Sequence, residues 1–140
     1  MNDNALSHHS ALIHLMVLVS ASDSEMTDTE LKSIGRAVRQ LPVFATFDEA
    51  MLPATAETCA ALLAEDNGLE TVLALAADLL PTELADTAYA LACQIAVIDG
   101  SLSPEELRVL EMIRQALNLD RLTAAGIERG VGALNKPWGA

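Results

Sequence analysis

The segment Tyr89-Ala-Leu-Ala-Cys-Gln-Ile-Ala-Val-Ile98 is followed by the loop Asp99-Gly-Ser-Leu102 and then by Ser103-Pro-Glu-Glu106. Gln94 is the only polar residue of the first segment. A helix without a polar face belongs in a protein core, and this one is too short to cross a bilayer. Ser103 begins the third segment as an N-cap, with proline at the first helical position and glutamate at the third. The sequence therefore predicts a buried helix, a short acidic loop and a second helix.

The same unit occurs a second time, upstream and at a constant offset. Both copies have an apolar helix, an aspartate, a Met or Leu, a Ser or Thr cap and a Glu-Leu-Lys/Arg helix start. The matching positions include Leu15 with Leu91, Asp23 with Asp99, Thr27 with Ser103, Glu30 with Glu106 and Leu41 with Leu117. We infer an internal duplication, with too few units for a solenoid.

Apolar residues recur at helical spacing after each helix start, and we expect them to face inward. They are Leu31, Ile34, Val38 and Leu41 in the first copy, and Leu107, Leu110, Ile113 and Leu117 in the second.

The chain of 140 residues is long enough for one domain that buries roughly two-thirds of its surface. It is rich in Ala and Leu and shows no strand-like alternation. We predict an all-α fold, a compact single-domain bundle of about seven or eight helices with two pseudo-twofold helix-loop-helix halves. Residues 1–7 are expected to be a flexible segment, residues 8–131 the helical domain and residues 132–140 a tail. The first helix is predicted from about His8 to Ser22, and the last from the Asp120 cap to about Gly130.

Acidic residues are concentrated in the middle of the chain. Twelve of the 20 Asp and Glu residues lie between Gln40 and Leu107, where there is no Lys, Arg or His. The net charge is −12. Such a field repels nucleic acid and anionic lipid and attracts cations. It also disfavours direct capture of an oxyanion, and a solvated acidic face for solubility explains it equally well.

The two motifs resemble those of the TerB-like tellurite resistance family. The resemblance runs from about Ala11 to Gly130 and is strongest around residues 88–117, including Glu111-Met112-Ile113-Arg114. It implies a compact helical domain whose repeated acidic motif binds divalent metal. The same domain occurs in membrane-tethered co-chaperones of the DnaJ-like type, so the fold does not fix one activity. Ser24 departs from the pattern, because the second copy has Gly100 at that position.

Carboxylates at matching positions are the candidate metal ligands. They are Asp23, Glu30, Asp99 and Glu106, with Glu25, Asp28 and Glu105 as additional oxygen donors nearby. Ca²⁺ takes six or more oxygens, whereas Mg²⁺ retains waters, and either ion is a candidate. Helix capping accounts for the glutamates equally well, since a glutamate at the third helical position accepts from the backbone. Capping does not account for Asp23 and Asp99, which precede the caps.

The patterns around the cysteines and histidines predict ordinary core or surface positions. Cys59 and Cys93 lie on apolar helix faces without a Cys-x-x-Cys pair, so we expect reduced core residues and no zinc site. The three histidines, His8, His9 and His14, lack the spacing of a helical metal pair, and we expect them at the surface or at helix flanks. The sequence contains no catalytic triad, phosphate loop or dinucleotide fingerprint, so we expect no enzyme and no catalytic residues.

Two functions remain open. The first is a cytoplasmic component of tellurite or metal-stress resistance that binds divalent metal through the acidic loops. The second is an interaction module that docks a protein partner, such as a membrane transporter or a chaperone, without metal. In either case we expect no nucleic acid and no direct membrane insertion, although a partner could hold the chain at the inner membrane. A homodimer is left open.

Overall fold

The computed structural model describes residues 3–22, 27–98 and 102–139, and all regular elements within these ranges are helical. The seven α-helices are α1 (Asp3–Ser20), α2 (Asp28–Gln40), α3 (Leu52–Leu63), α4 (Gly68–Leu79), α5 (Ala85–Val97), α6 (Pro104–Ala116) and α7 (Arg121–Leu134). Short 3₁₀ helices lie at Pro42–Phe44, Glu49–Met51 and Thr82–Leu84. The predicted all-α fold is confirmed. The superposition of two pseudo-twofold halves stays a prediction.

Two helices are longer than predicted. α1 begins at Asp3, before the predicted start at His8, because no proline or glycine interrupts residues 3–8. α7 continues past Gly130 to Leu134. Glycine within a helix weakens it without ending it, so Gly130 is a poor stop signal.

The core is built around α1 and α5. All residues of α1 from Ala11 to Ser20 are buried, and α1 contacts α2, α3, α4, α5 and α6. α5 packs on α1, α2, α6 and α7. Leu91 and Ile95 are buried as predicted. Of the two helices, α1 is the more enclosed, because its residues 11–20 are all buried while Gln94 of α5 is half-buried.

The predicted inward faces of α2 and α6 are wrong at several positions. Leu31 is 48% exposed and Leu107 is 52% exposed, and Leu41 is also exposed. Leu117 is half-buried. The reason is helical phase, because Leu31 and Leu107 each follow a buried glutamate and are rotated by about 100° from it.

The buried stripe of each helix begins at that glutamate. In α6 it comprises Glu106, Val109, Leu110 and Ile113, and in α2 it comprises Glu30, Ser33, Ile34, Gly35 and Val38. The glutamate at the third position of each helix is therefore the first member of its inward face.

Two histidines lie in the core, contrary to the expected surface positions. The ring of His9 stacks on Phe44 and meets Phe47 edge-on. Its Nε2 donates to the carbonyl of Val43 at 2.8 Å, while its Nδ1 has no partner among the described residues. His14 is also buried, and its Nδ1 donates to the carbonyl of Ser10 at 2.7 Å. Burial lowers the pKa of both histidines, although the backbone hydrogen bonds oppose the shift.

The turn between α3 and α4 requires Gly68. Asn67 adopts a left-handed backbone conformation with φ 59°, and Gly68 then starts α4 against the end of α3. A β-carbon at Gly68 would lie 2.4 Å from the carbonyl oxygen of Leu62. Close backbone approach therefore determines the residue at this position.

We expect Ile95→Ala to lower the free energy of unfolding by about 2–5 kcal/mol, because truncation leaves a cavity in the core. Leu122→Ala is the matched control, since Leu122 is 84% exposed, and it should change stability by less than about 0.5 kcal/mol. Urea denaturation followed by circular dichroism measures both. Equal effects of the two substitutions would contradict the position of α5 in the core.

We expect Gly68→Ala to destabilise the protein by about 1–3 kcal/mol, because backbone atoms of α3 must move to admit the methyl group. Gly126→Ala in α7 should have the opposite sign. Outside the backbone of its own helix, no described atom lies within 4 Å of the place that the methyl group would take, and alanine favours a helix interior by about 0.5–1 kcal/mol. Thermal melts of both variants against the wild type test this pair, and destabilisation by Gly126→Ala would contradict the open surface of α7.

The buried histidines should make the protein acid-sensitive. Their folded pKa values lie below the ordinary 6.5, so the unfolded chain binds protons more readily in this range. Their contribution is complete above the unfolded pKa and is lost as pH falls towards the folded pKa. Unfolding measured at about pH 7.5 and 5.5 should show lower stability at the acidic value, and His9→Gln and His14→Gln should each reduce the difference. An unchanged pH dependence in the double variant would contradict this assignment.

Candidate functional site

The starts of α2 and α6 have the same capping geometry. The Thr27 hydroxyl accepts from the Glu30 N–H at 3.1 Å, and Glu30 Oε1 accepts from the Thr27 N–H at 2.9 Å. The equivalent distances between Ser103 and Glu106 are 3.0 and 2.9 Å. Both helices thus begin with a complete capping box, as predicted.

The capping glutamates are deeply buried. Glu30 is 3% exposed and Glu106 is 2% exposed. Each side chain closes the first turn of its helix and also belongs to the buried face of that helix. The box engages Oε1 of each carboxylate.

The remaining predicted ligands are distributed differently. Asp28 and Glu105 are exposed residues of the first turns of α2 and α6. They occupy non-equivalent positions, because Asp28 follows its cap directly and Glu105 follows at the second position. Asp23, Glu25 and Asp99 lie outside the described residues.

No three His, Cys, Asp or Glu side chains within residues 3–22, 27–98 and 102–139 are close enough to hold a metal ion together. The described part of the chain supplies one buried carboxylate at the start of α2 and one at the start of α6. A complete ligand set depends on the loop aspartates, so the predicted metal site stays a prediction.

The electrostatics at each helix start are mixed. The N-terminal ends of α2 and α6 carry partial positive charge that favours their carboxylates and opposes a bound cation.

Two ion pairs occur among the described residues, Arg39 with Glu49 at 3.1 Å and Arg108 with Glu111. Both are exposed at the surface, where such pairs contribute little to stability.

A cavity of about 330 Å³ lies beside the second motif, between α5, α6 and α7. Leu102 and Leu107 line it together with Tyr89, Cys93 and Glu128. The Tyr89 hydroxyl donates to Glu128 Oε2 at 2.5 Å. Burial raises the pKa of Tyr89 most, and the hydrogen bond to Glu128 raises it further. No pattern in the sequence singles out Tyr89 or Glu128, which are far apart in the chain.

The two thiols are core groups, as predicted. Cys59 and Cys93 are buried, and burial raises the pKa of each to about 12. Both are therefore protonated at neutral pH, so neither is activated as a nucleophile or a soft metal ligand.

A reciprocal amide pair holds α7 on α5. Gln94 donates to Asn135 at 3.1 Å, and Asn135 donates back to Gln94 at 2.8 Å. This contact explains the one polar residue in the apolar segment of α5.

The family model of the tellurite resistance protein TerB matches residues 9–128. The chain belongs to the TerB family. The matched range of this TerB-family chain includes both capping boxes and the core helices. Searches of curated proteins and of solved structures returned no match. Among the described residues of this TerB-family chain, no helix is long and apolar enough to cross a membrane.

Proposed function

We propose that this TerB-family chain is a non-enzymatic, cytoplasmic component of tellurite or metal-stress resistance that binds a divalent cation through its duplicated acidic loops. The single observation that carries the proposal is the buried glutamate at each helix start, Glu30 and Glu106, directly after an acidic loop. The family membership supports the link with tellurite resistance.

The energetic argument is clearest at Glu30. Burial of a carboxylate is costly unless hydrogen bonds or a cation compensate for the lost hydration. Neither ion pair among the described residues involves Glu30, and the capping box engages one of its two oxygens. A divalent cation held between Glu30 and the loop aspartate Asp23 would add to this compensation. Asp99 and Glu106 have the same relation in sequence.

Hard cations fit this ligand set best. The candidate donors are carboxylates and backbone carbonyls, which Ca²⁺ and Mg²⁺ prefer. Tellurite itself is an oxyanion, and the carboxylates of the acidic loops repel it locally. The proposed role in resistance is therefore a response to metal, through a partner such as a membrane transporter, and does not involve direct capture of tellurite.

The second candidate function is metal-free docking of a protein partner, such as a chaperone or a membrane protein that would hold the chain at the inner membrane. The observation that favours it is the exposure of leucines around the motifs, namely Leu31, Leu102 and Leu107. Single exposed leucines are common. Leu102 and Leu107, however, line one cavity at the second loop, and clustered apolar surface is typical of interaction sites.

Thermal melts with chelator and with millimolar Ca²⁺ or Mg²⁺ distinguish the two functions. We expect metal to raise the melting temperature, because a ligand that binds only the folded state stabilises it. Asp99→Asn should reduce the gain by removing a charged ligand, while Glu106→Gln should weaken binding but keep the capping box. Asp78→Asn is the matched control, since Asp78 is an exposed acid of α4 that is not a candidate ligand, and it should keep the full gain.

The two acidic loops should differ in their affinity for the divalent cation. Gly100 permits turns that Ser24 resists, so Asp99→Asn should reduce the metal-dependent gain more than Asp23→Asn does. Identical wild-type melts with chelator and with metal would contradict metal binding and favour the docking function.

A further inference from the structure

A second concave surface lies between α2 and α7. This α2–α7 groove has α5 as its floor and a volume of about 470 Å³. Leu91 and Ile95 of α5 line the floor together with Met16 of α1, and Val131 and Leu134 of α7 line one wall. The groove is thus apolar at its base.

The dimensions suit a small ligand. Volumes of about 300–1,000 Å³ with mainly apolar walls and a few polar groups are typical of small-molecule sites. The lining residues of α5 run from Thr87 to Ile95, a length of about 12 Å at 1.5 Å per residue. A single alkyl chain fits such a floor.

The polar part of the groove is cationic. Arg36 of α2 is the only charged residue among the described residues that line it. Arg36 is exposed and takes part in neither of the ion pairs given above. The amide of Gln94, another lining residue, is already engaged with Asn135. No carboxylate of the described residues lines the groove, although the chain has 20 acidic and 8 basic residues.

We propose that the α2–α7 groove binds a free single-chain carboxylate amphiphile of the fatty-acid type. The alkyl chain lies against Met16, Leu91 and Ile95, and the carboxylate pairs with the Arg36 guanidinium, which matches carboxylate geometry in two parallel hydrogen bonds. The net negative charge of the chain opposes an anion, but at physiological salt it is screened beyond about 8 Å. The Arg36 guanidinium therefore favours a carboxylate head group.

Calorimetric titration with matched probes tests the head-group selection. Decanoate, decanol and decyltrimethylammonium share one alkyl chain, and acetate supplies the head group alone, all used below their critical micelle concentrations. We expect decanoate to bind at one site, decanol to bind at least about tenfold more weakly, and the cation and acetate to show no binding. Equal affinity for decanoate and decanol, or no binding of decanoate, would overturn the proposal.

Substitutions locate the site. Arg36→Gln should weaken decanoate binding at least about tenfold, to the level of decanol. Arg39→Gln on the same helix should bind as the wild type does, because Arg39 pairs with Glu49 and does not line the groove.

Ala90→Leu should block decanoate by filling the groove, while Ala125→Leu on the exposed side of α7 should not. Circular dichroism confirms that each variant is folded. If Ala90→Leu fails to fold, the comparison of Arg36→Gln with Arg39→Gln tests the proposal by itself. Wild-type affinity in Arg36→Gln would refute the assignment.

Discussion

The packing of α1 against α5 determines where the other helices lie. Residues 11–20 of α1 are buried without exception, and α5 is almost as enclosed. Because neither helix has a polar face, each must be covered on every side. α2, α3, α4 and α6 cover α1, and α7 covers part of α5. Aliphatic side chains and alanines make up most of this core, so a chain with few aromatic residues still forms one core.

The capping glutamates join the starts of α2 and α6 to this core. Each closes the first turn of its helix and begins the buried stripe of that helix. Arg36 is the one charged residue among the described residues that line the α2–α7 groove, so the two proposed sites select ligands of opposite charge.

The sequence predicts the helices well and the orientation of their surfaces less well. Cap residues such as Thr27, Ser103 and Asp120 place the helix starts, because capping is a local interaction. The predicted inward positions of Leu31 and Leu107 are wrong, because hydrophobicity alone does not set the helical phase where a glutamate is buried. The burial of His9 and the Tyr89–Glu128 contact depend on distant partners, which no local pattern reveals. The loop aspartates lie outside the described residues, so the metal site stays a prediction.

The most direct test of the metal site is a nuclear magnetic resonance titration with Ca²⁺ and Mg²⁺. The backbone amides of Thr27 and Ser103 donate to the capping glutamates and report on both loops. The amide of Thr123 donates to Asp120 at the start of α7 and is an internal control. The account predicts saturable shifts at Thr27 and Ser103 and none at Thr123. Shifts of equal size at all three amides, or no shifts at millimolar metal, would contradict it.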